Sequence, residues 1–125
     1  MILVVDDNPV QALTRKAILT RAGYDVKTVY SADDAFHSLD SDEDRRIDLV
    51  ITDHIMPGES GSHFIELLWQ RRPALKVVVL SGLAEAEAEY SGLDVTFRAK
   101  PLQPEDLIAL IGGLGEPKTS PPSVH

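Results

Sequence analysis

The sequence contains no cysteine, which removes disulfides, thiolate metal centres and cysteine nucleophiles and is compatible with a reducing compartment. It has no apolar run approaching the roughly 20 residues that span a bilayer. Positive charge is scarce, with 12 Lys and Arg against 20 Asp and Glu, for a formal net charge of −8. A molecule of that sign is repelled at long range by a phosphate backbone or an anionic membrane surface, so direct binding to nucleic acid or membrane is not expected. The opening Met1–Val5 is apolar but short, and Asp6 and Asp7 follow at once. A secretory signal has a basic start and a longer apolar region, so the expectation is a cytoplasmic protein.

What is present is ordinary for a globular domain: 125 residues, 43% hydrophobic and 26% charged, enough chain to bury a substantial core. No composition shift or repeat interrupts residues 1–111, so one domain is expected. Short apolar runs lie at Ile2 to Val5, Val26 to Val29, Leu49 to Ile51, Val77 to Leu80 and Val95 to Phe97. Runs of this kind suit strands buried on both faces of a parallel sheet. Between them, three sets recur at helical spacing, each predicting one buried stripe: Val10, Leu13 and Ala17; Phe64, Leu67 and Leu68; and Leu107, Leu110, Ile111 and Leu114.

Boundary residues agree with this division. Asn8 followed by Pro9 predicts a cap and first helical residue, and Gly23 a left-handed stop. Ser31 predicts the cap of a helix carrying Ala32, Ala35, Phe36 and Leu39, with Asp33 and Asp34 near its positive end. Ala84 to Tyr90 has helical propensity but almost no apolar face, so a short, loosely held helix is expected there. The end of the chain from Gly112 onward, with Pro117, Pro121 and Pro122, is expected to lack the apolar groups to fold. This places a domain at 1–113 and a tail or linker at 114–125.

Alternating strands and helices imply right-handed crossovers and a parallel sheet with helices on both faces. In such sheets the site forms beyond the carboxyl ends of the strands. Asp6 and Asp7 follow the first strand, Asp53 the third and Lys100 the fifth, while Ser81 ends the fourth. Crowded carboxylates repel one another, and their oxygens suit a hard cation such as Mg²⁺. With that charge offset, a carboxylate can attack a phosphoryl group whose oxygens Lys100 and the Ser81 hydroxyl contact.

The runs VVDDNP, TDHIMPGESG and VVVLSG, with the pair Lys100-Pro101, resemble in order and position the receiver domain of response regulators and hybrid histidine kinases. The resemblance covers about residues 1–113 and implies a doubly wound five-stranded α/β fold of flavodoxin-like strand order 2-1-3-4-5. It makes Asp53 the phosphoacceptor, supplied by a histidine kinase or histidine phosphotransfer domain. Asp7 and Asp53 become side-chain ligands of Mg²⁺, the Ile55 backbone carbonyl a third ligand, and Asp6 a partner through metal-bound water. Ser81 would bond the arriving phosphoryl group, Lys100 would pair with it, and Met56, Pro57 and Gly61 match the loop after the acceptor. Phe97 falls at the aromatic switch position. Phosphorylation would remodel the face formed by the fourth helix, fifth strand and fifth helix, where a downstream protein docks. Ile55 and Leu83 are apolar where polar residues often assist the hydrolytic water, which implies slow self-dephosphorylation. The wording of TDHIMPGESG and LSGLAE most resembles receivers fused to hybrid sensor kinases, and a stand-alone receiver would look much the same.

Each site residue alone has a commoner fate, as helix cap, solvated acid, surface cation or turn residue; their joint placement on strand ends outweighs those readings. A packed strand aromatic is as good a description of Phe97 as a switch. His37, His54, His63 and His125 lack metal-ligand spacing, Glu85, Glu87 and Glu89 fit a solvated face, and Trp69 fits packing. A phosphatase of the haloacid dehalogenase type would carry its nucleophile after the first strand in a DxD pattern, where this chain has Asn8, and would need a cap domain to enclose its substrate. A receiver retained only as a binding module would not need all five site residues.

Overall fold

The computed structural model describes residues 1–41, 47–53 and 60–118. Elements alternate along the chain: β1 (Ile2–Val5), α1 (Pro9–Arg21), β2 (Val26–Val29), α2 (Ala32–Asp40), β3 (Leu49–Asp53), α3 (Gly61–Arg71), β4 (Lys76–Ser81), a 3-10 helix η1 (Ala84–Tyr90), β5 (Thr96–Ala99) and α4 (Pro104–Gly113). All pairings are parallel and the sheet order is β2-β1-β3-β4-β5, the doubly wound arrangement that the sequence implies.

Side chains alternate across the sheet, which explains the uninterrupted apolar runs. Leu3, Val5, Val50, Val77 and Val79 face α2 and α3, packing on Ala35, Leu39, Phe64 and Leu68. Ile2, Val4, Ile51, Val78 and Leu80 face the other way, onto Ala12, Leu19, Leu107 and Ile111 of α1 and α4. The caps form as their residue types predict. The Asn8 side chain accepts from the backbone of Val10 (3.0 Å) and Gln11 (3.3 Å), and Ser31 Oγ from that of Asp34 (3.1 Å). Gly23 takes the left-handed φ of 102° after α1.

Two expectations are corrected. On α1 the stripe Val10, Leu13 and Ala17 is not buried: Val10 is 74% and Leu13 51% exposed, and Ala17 is exposed with them. The helix carries a second set at the same spacing, Ala12, Arg15 and Leu19, and that is the set that meets the sheet. Spacing alone could not choose between them, and an inward arginine made the true face look polar. The short helix expected at Ala84–Tyr90 does form, as a 3-10 helix. Second, order continues past Gly113. Leu114 packs on the α1–α4 side of the core, Lys76 Nζ donates to its carbonyl at 2.6 Å, and Glu116 is buried with Oε2 3.1 Å from the Met1 amino group. Burial, above all, pushes the Glu116 carboxyl up to about 7. Residues 119–125 lie outside the described residues.

The two faces of the chain's first and third helices differ in what truncation removes. Phe64→Ala, at a fully buried position, is expected to lower the unfolding free energy by about 3–5 kcal/mol. Leu13→Ala, on the exposed side of α1, should change it by less than about 0.5 kcal/mol. Urea denaturation of both variants checks the assignment; comparable losses would contradict it.

Candidate functional site

Strand register assembles the site. Val5 pairs with Thr52, so Asp6 and Asp53, each one residue further on, come level at the carboxyl rim. Asp53 is the last residue of β3 and opposes Leu80, one before Ser81 at the end of β4. Ser81 pairs with Ala99, and the Lys100 backbone amide donates to the Ser81 carbonyl at 2.7 Å. Four residues widely separated in sequence, Asp6, Asp53, Ser81 and Lys100, therefore share one edge, with Asp7 next to Asp6.

Asp6, Asp7 and Asp53 each offer a carboxylate oxygen, and these oxygens all lie within 4.8 Å of one another. Asp6 is fully buried; its Oδ1 accepts from the Asn8 backbone at 2.9 Å and its Oδ2 from Arg15 Nη1 at 2.6 Å. Asp7 is exposed and Asp53 half-buried. Lys100 Nζ lies 2.9 Å from Asp53 Oδ1 and donates to Gln11 Oε1 at 3.1 Å. Ser81 Oγ, buried, accepts from the Leu83 backbone amide at 2.9 Å and donates to the Leu83 carbonyl at 3.3 Å, so the hydroxyl is tied to its own loop. Phe97 is half-buried with its ring centroid 6.0 Å from that of Tyr90. Burial first, then the charges of Glu89 and Asp53, holds the Tyr90 phenol above its usual range, keeping it protonated.

All three acids are hard oxygen donors, and two of them face water, which suits a small divalent ion that keeps part of its hydration shell. The residues fit Mg²⁺. Two cations, Arg15 and Lys100, already oppose the three carboxylates, and Lys100 orients one oxygen of the half-buried Asp53.

Of the sequence-derived residues, Asp6, Asp7, Asp53, Ser81 and Lys100 come together on the rim, with Phe97 one strand away. Ile55, Met56, Pro57 and His54 lie outside the described residues. Gln11 and Arg15 were not anticipated. They stand one turn apart on α1, Arg15 Nη2 donating to Gln11 Oε1 at 3.3 Å, and their spacing, just after an acidic pair, was the available signal. Glu89, expected only on a solvated face, accepts from the Ser62 backbone amide at 3.0 Å at the start of α3. Trp69 is half-buried and its Nε1 donates to the Leu75 carbonyl at 2.9 Å.

A parallel sheet ordered 2-1-3-4-5 with an acidic cluster, a lysine and a hydroxyl along its carboxyl rim defines a flavodoxin-like α/β protein with a cation-compatible site. The pattern of the response regulator receiver domain matches residues 2–112, and the chain belongs to that family, the receiver domains of two-component signalling, which act as switches. It is 32% identical over 125 residues to the DNA-binding transcriptional regulator NtrC of Rhizobium meliloti (strain 1021), covering 96% of this chain and 25% of that protein. The sensor protein EvgS of Escherichia coli O157:H7 is 31% identical over 93 residues, 74% of this chain and 8% of that one. The chain thus spans a quarter or less of either relative. Among solved structures, a CheY-like receiver domain protein from Methanospirillum hungatei JF-1 superposes with a TM-score of 0.81 at 25% identity, covering 90% of both chains. A receiver domain from Clostridium thermocellum gives 0.78 at 27% identity, again over 90% of both. No helix among the described residues is long and apolar enough to cross a membrane.

Proposed function

We propose that this receiver takes a phosphoryl group onto Asp53 from the phosphohistidine of a histidine kinase or histidine phosphotransfer domain. The observation that carries the assignment is the 2.9 Å pairing of Lys100 with Asp53, the member of the acidic cluster that ends a central strand and stays partly open to solvent. In the transfer, an Asp53 carboxylate oxygen forms the new P–O bond while the P–N bond to the donor imidazole breaks and its electron pair returns to the ring. Lys100 exchanges its hold on the carboxylate for the phosphoryl oxygens. The Ser81 hydroxyl leaves Leu83 and donates to the same group. Asp7, Asp53 and the Ile55 carbonyl would hold Mg²⁺, with Asp6 acting through its water; when bound, the ion would supply neutralisation of the negative charge gathered at the rim. The domain promotes its own phosphorylation in this way and is otherwise a switch.

Phe97 links the site to an output surface. Its contact with Tyr90 joins β5 to the end of η1, so withdrawal of Ser81 from the neighbouring loop gives the ring room to change rotamer and repack that face. The face formed by η1, β5 and α4 is assigned to a downstream protein partner; a shallow cavity of about 770 Å³ lined in part by Glu87, Tyr90, Phe97 and Arg98 lies on it. The chain's acidity favours a protein partner over direct contact with nucleic acid or membrane. Its place is in the cytoplasm, within a hybrid sensor kinase or as a stand-alone receiver; the similarity to the sensor protein EvgS supports the first of these.

Incubation with Mg²⁺ and acetyl phosphate should add one phosphoryl mass to the intact protein, and neither Asp53→Asn nor a Mg²⁺-free sample should gain it. Retention of the full gain in Asp53→Asn would contradict the assignment. Once donor is removed, the label should persist for many minutes at neutral pH, because Leu83 offers no polar group to a hydrolytic water beside Ser81. Loss within seconds would contradict that part.

A further inference from the structure

An arginine on the core-facing side of α1 needs a reason, because burying its charge is costly unless a partner offsets it. Arg15, 12% exposed at its side chain, sits between Ala12 and Leu19 on the buried face and meets Asp6, which is 0% exposed. With the Asn8 amide on its other oxygen, Asp6 has both oxygens engaged. Gln11, one turn earlier, accepts from both Arg15 Nη2 and Lys100 Nζ. The helix thereby joins the Asp6 end of the acidic cluster to the Asp53 end through Arg15, Gln11 and Lys100.

We propose that Arg15 is a resident counter-cation of the acidic cluster, a positioning residue that holds Asp6 out of direct metal ligation and lowers the site's affinity for Mg²⁺. The proposal rests on the Mg²⁺ reading given above. A divalent ion entering beside Asp7 and Asp53 meets an attraction that Arg15 has partly cancelled. If the guanidinium stays, it repels the ion; if it withdraws, the ion pair with a buried carboxylate is broken. Either way binding is weakened, so the arginine works as an affinity setting as well as a structural bond. A purely structural arginine would act in the opposite sense, since its loss would disorder Asp6 and weaken binding.

Arg15→Gln separates the two, because glutamine can still donate to Asp6 but carries no charge, and Arg15→Lys retains the charge. Isothermal titration of the whole chain with MgCl₂ alone, no phosphodonor present, reads the affinity directly. Arg15→Gln should bind Mg²⁺ about tenfold more tightly than wild type, given one unit charge removed at short range from a partly buried site, and Arg15→Lys should stay within about threefold of wild type. Unchanged or weaker binding by Arg15→Gln, with wild type binding normally, would overturn the proposal while leaving the metal site intact. No binding by wild type and both variants would overturn the metal reading and this proposal with it.

Discussion

Like charge concentrated at one edge of a parallel sheet is the constraint around which the molecule is arranged. The register of β1 on β3 forces Asp6 and Asp53 level with each other, and with Asp7 they bring three carboxylate oxygens within 4.8 Å. Their mutual repulsion opposes folding unless cations answer it. Arg15 meets the buried acid and Lys100 the half-buried one, while Asp7 remains in solvent. Each acid thus has its own means of bearing charge. The remaining negative potential is what makes the rim receptive to a hard cation, and a phosphoryl group is tolerable there only with such an ion and Lys100 beside it.

The same arrangement gives the site a mechanical connection to the rest of the fold. Ser81 and Lys100 lie on neighbouring strand ends joined by a backbone hydrogen bond, and Ser81 is held by its own loop just before η1. The last residue of η1, Tyr90, is buried in the α2–α3 side of the core and packs on Phe97, so η1 is in contact with β5. The proposed route from chemistry at the rim to a change of shape on the η1–β5–α4 face runs through these contacts.

Much of this was legible in the sequence, for identifiable reasons. The inner strands β1, β3 and β4 are buried on both faces and leave continuous apolar runs, while the edge strands β2 and β5 showed through β-rich runs; residues at strand ends announce a rim, and Asp6, Asp7, Asp53, Ser81 and Lys100 were placed there by position and residue type together. The orientation of α1 was not legible, because Val10, Leu13 and Ala17 mimic a buried stripe at the same spacing as the real one. That error and the omission of Arg15 have one origin: an arginine counts against burial until its partner is known, and Asp6 is nine residues away. The end of the chain was misjudged for a similar reason, since Glu116 looks solvated until a pocket beside Met1 receives it.

The central claim is that Asp53, and not one of its acidic neighbours, carries the phosphoryl group. The most direct measurement is borohydride reduction of the acetyl-phosphate-treated domain, which converts an acyl phosphate to homoserine, followed by peptide sequencing by mass spectrometry. Homoserine at position 53 alone is the predicted result. Homoserine at position 6 or 7, with position 53 unmodified, would contradict the account.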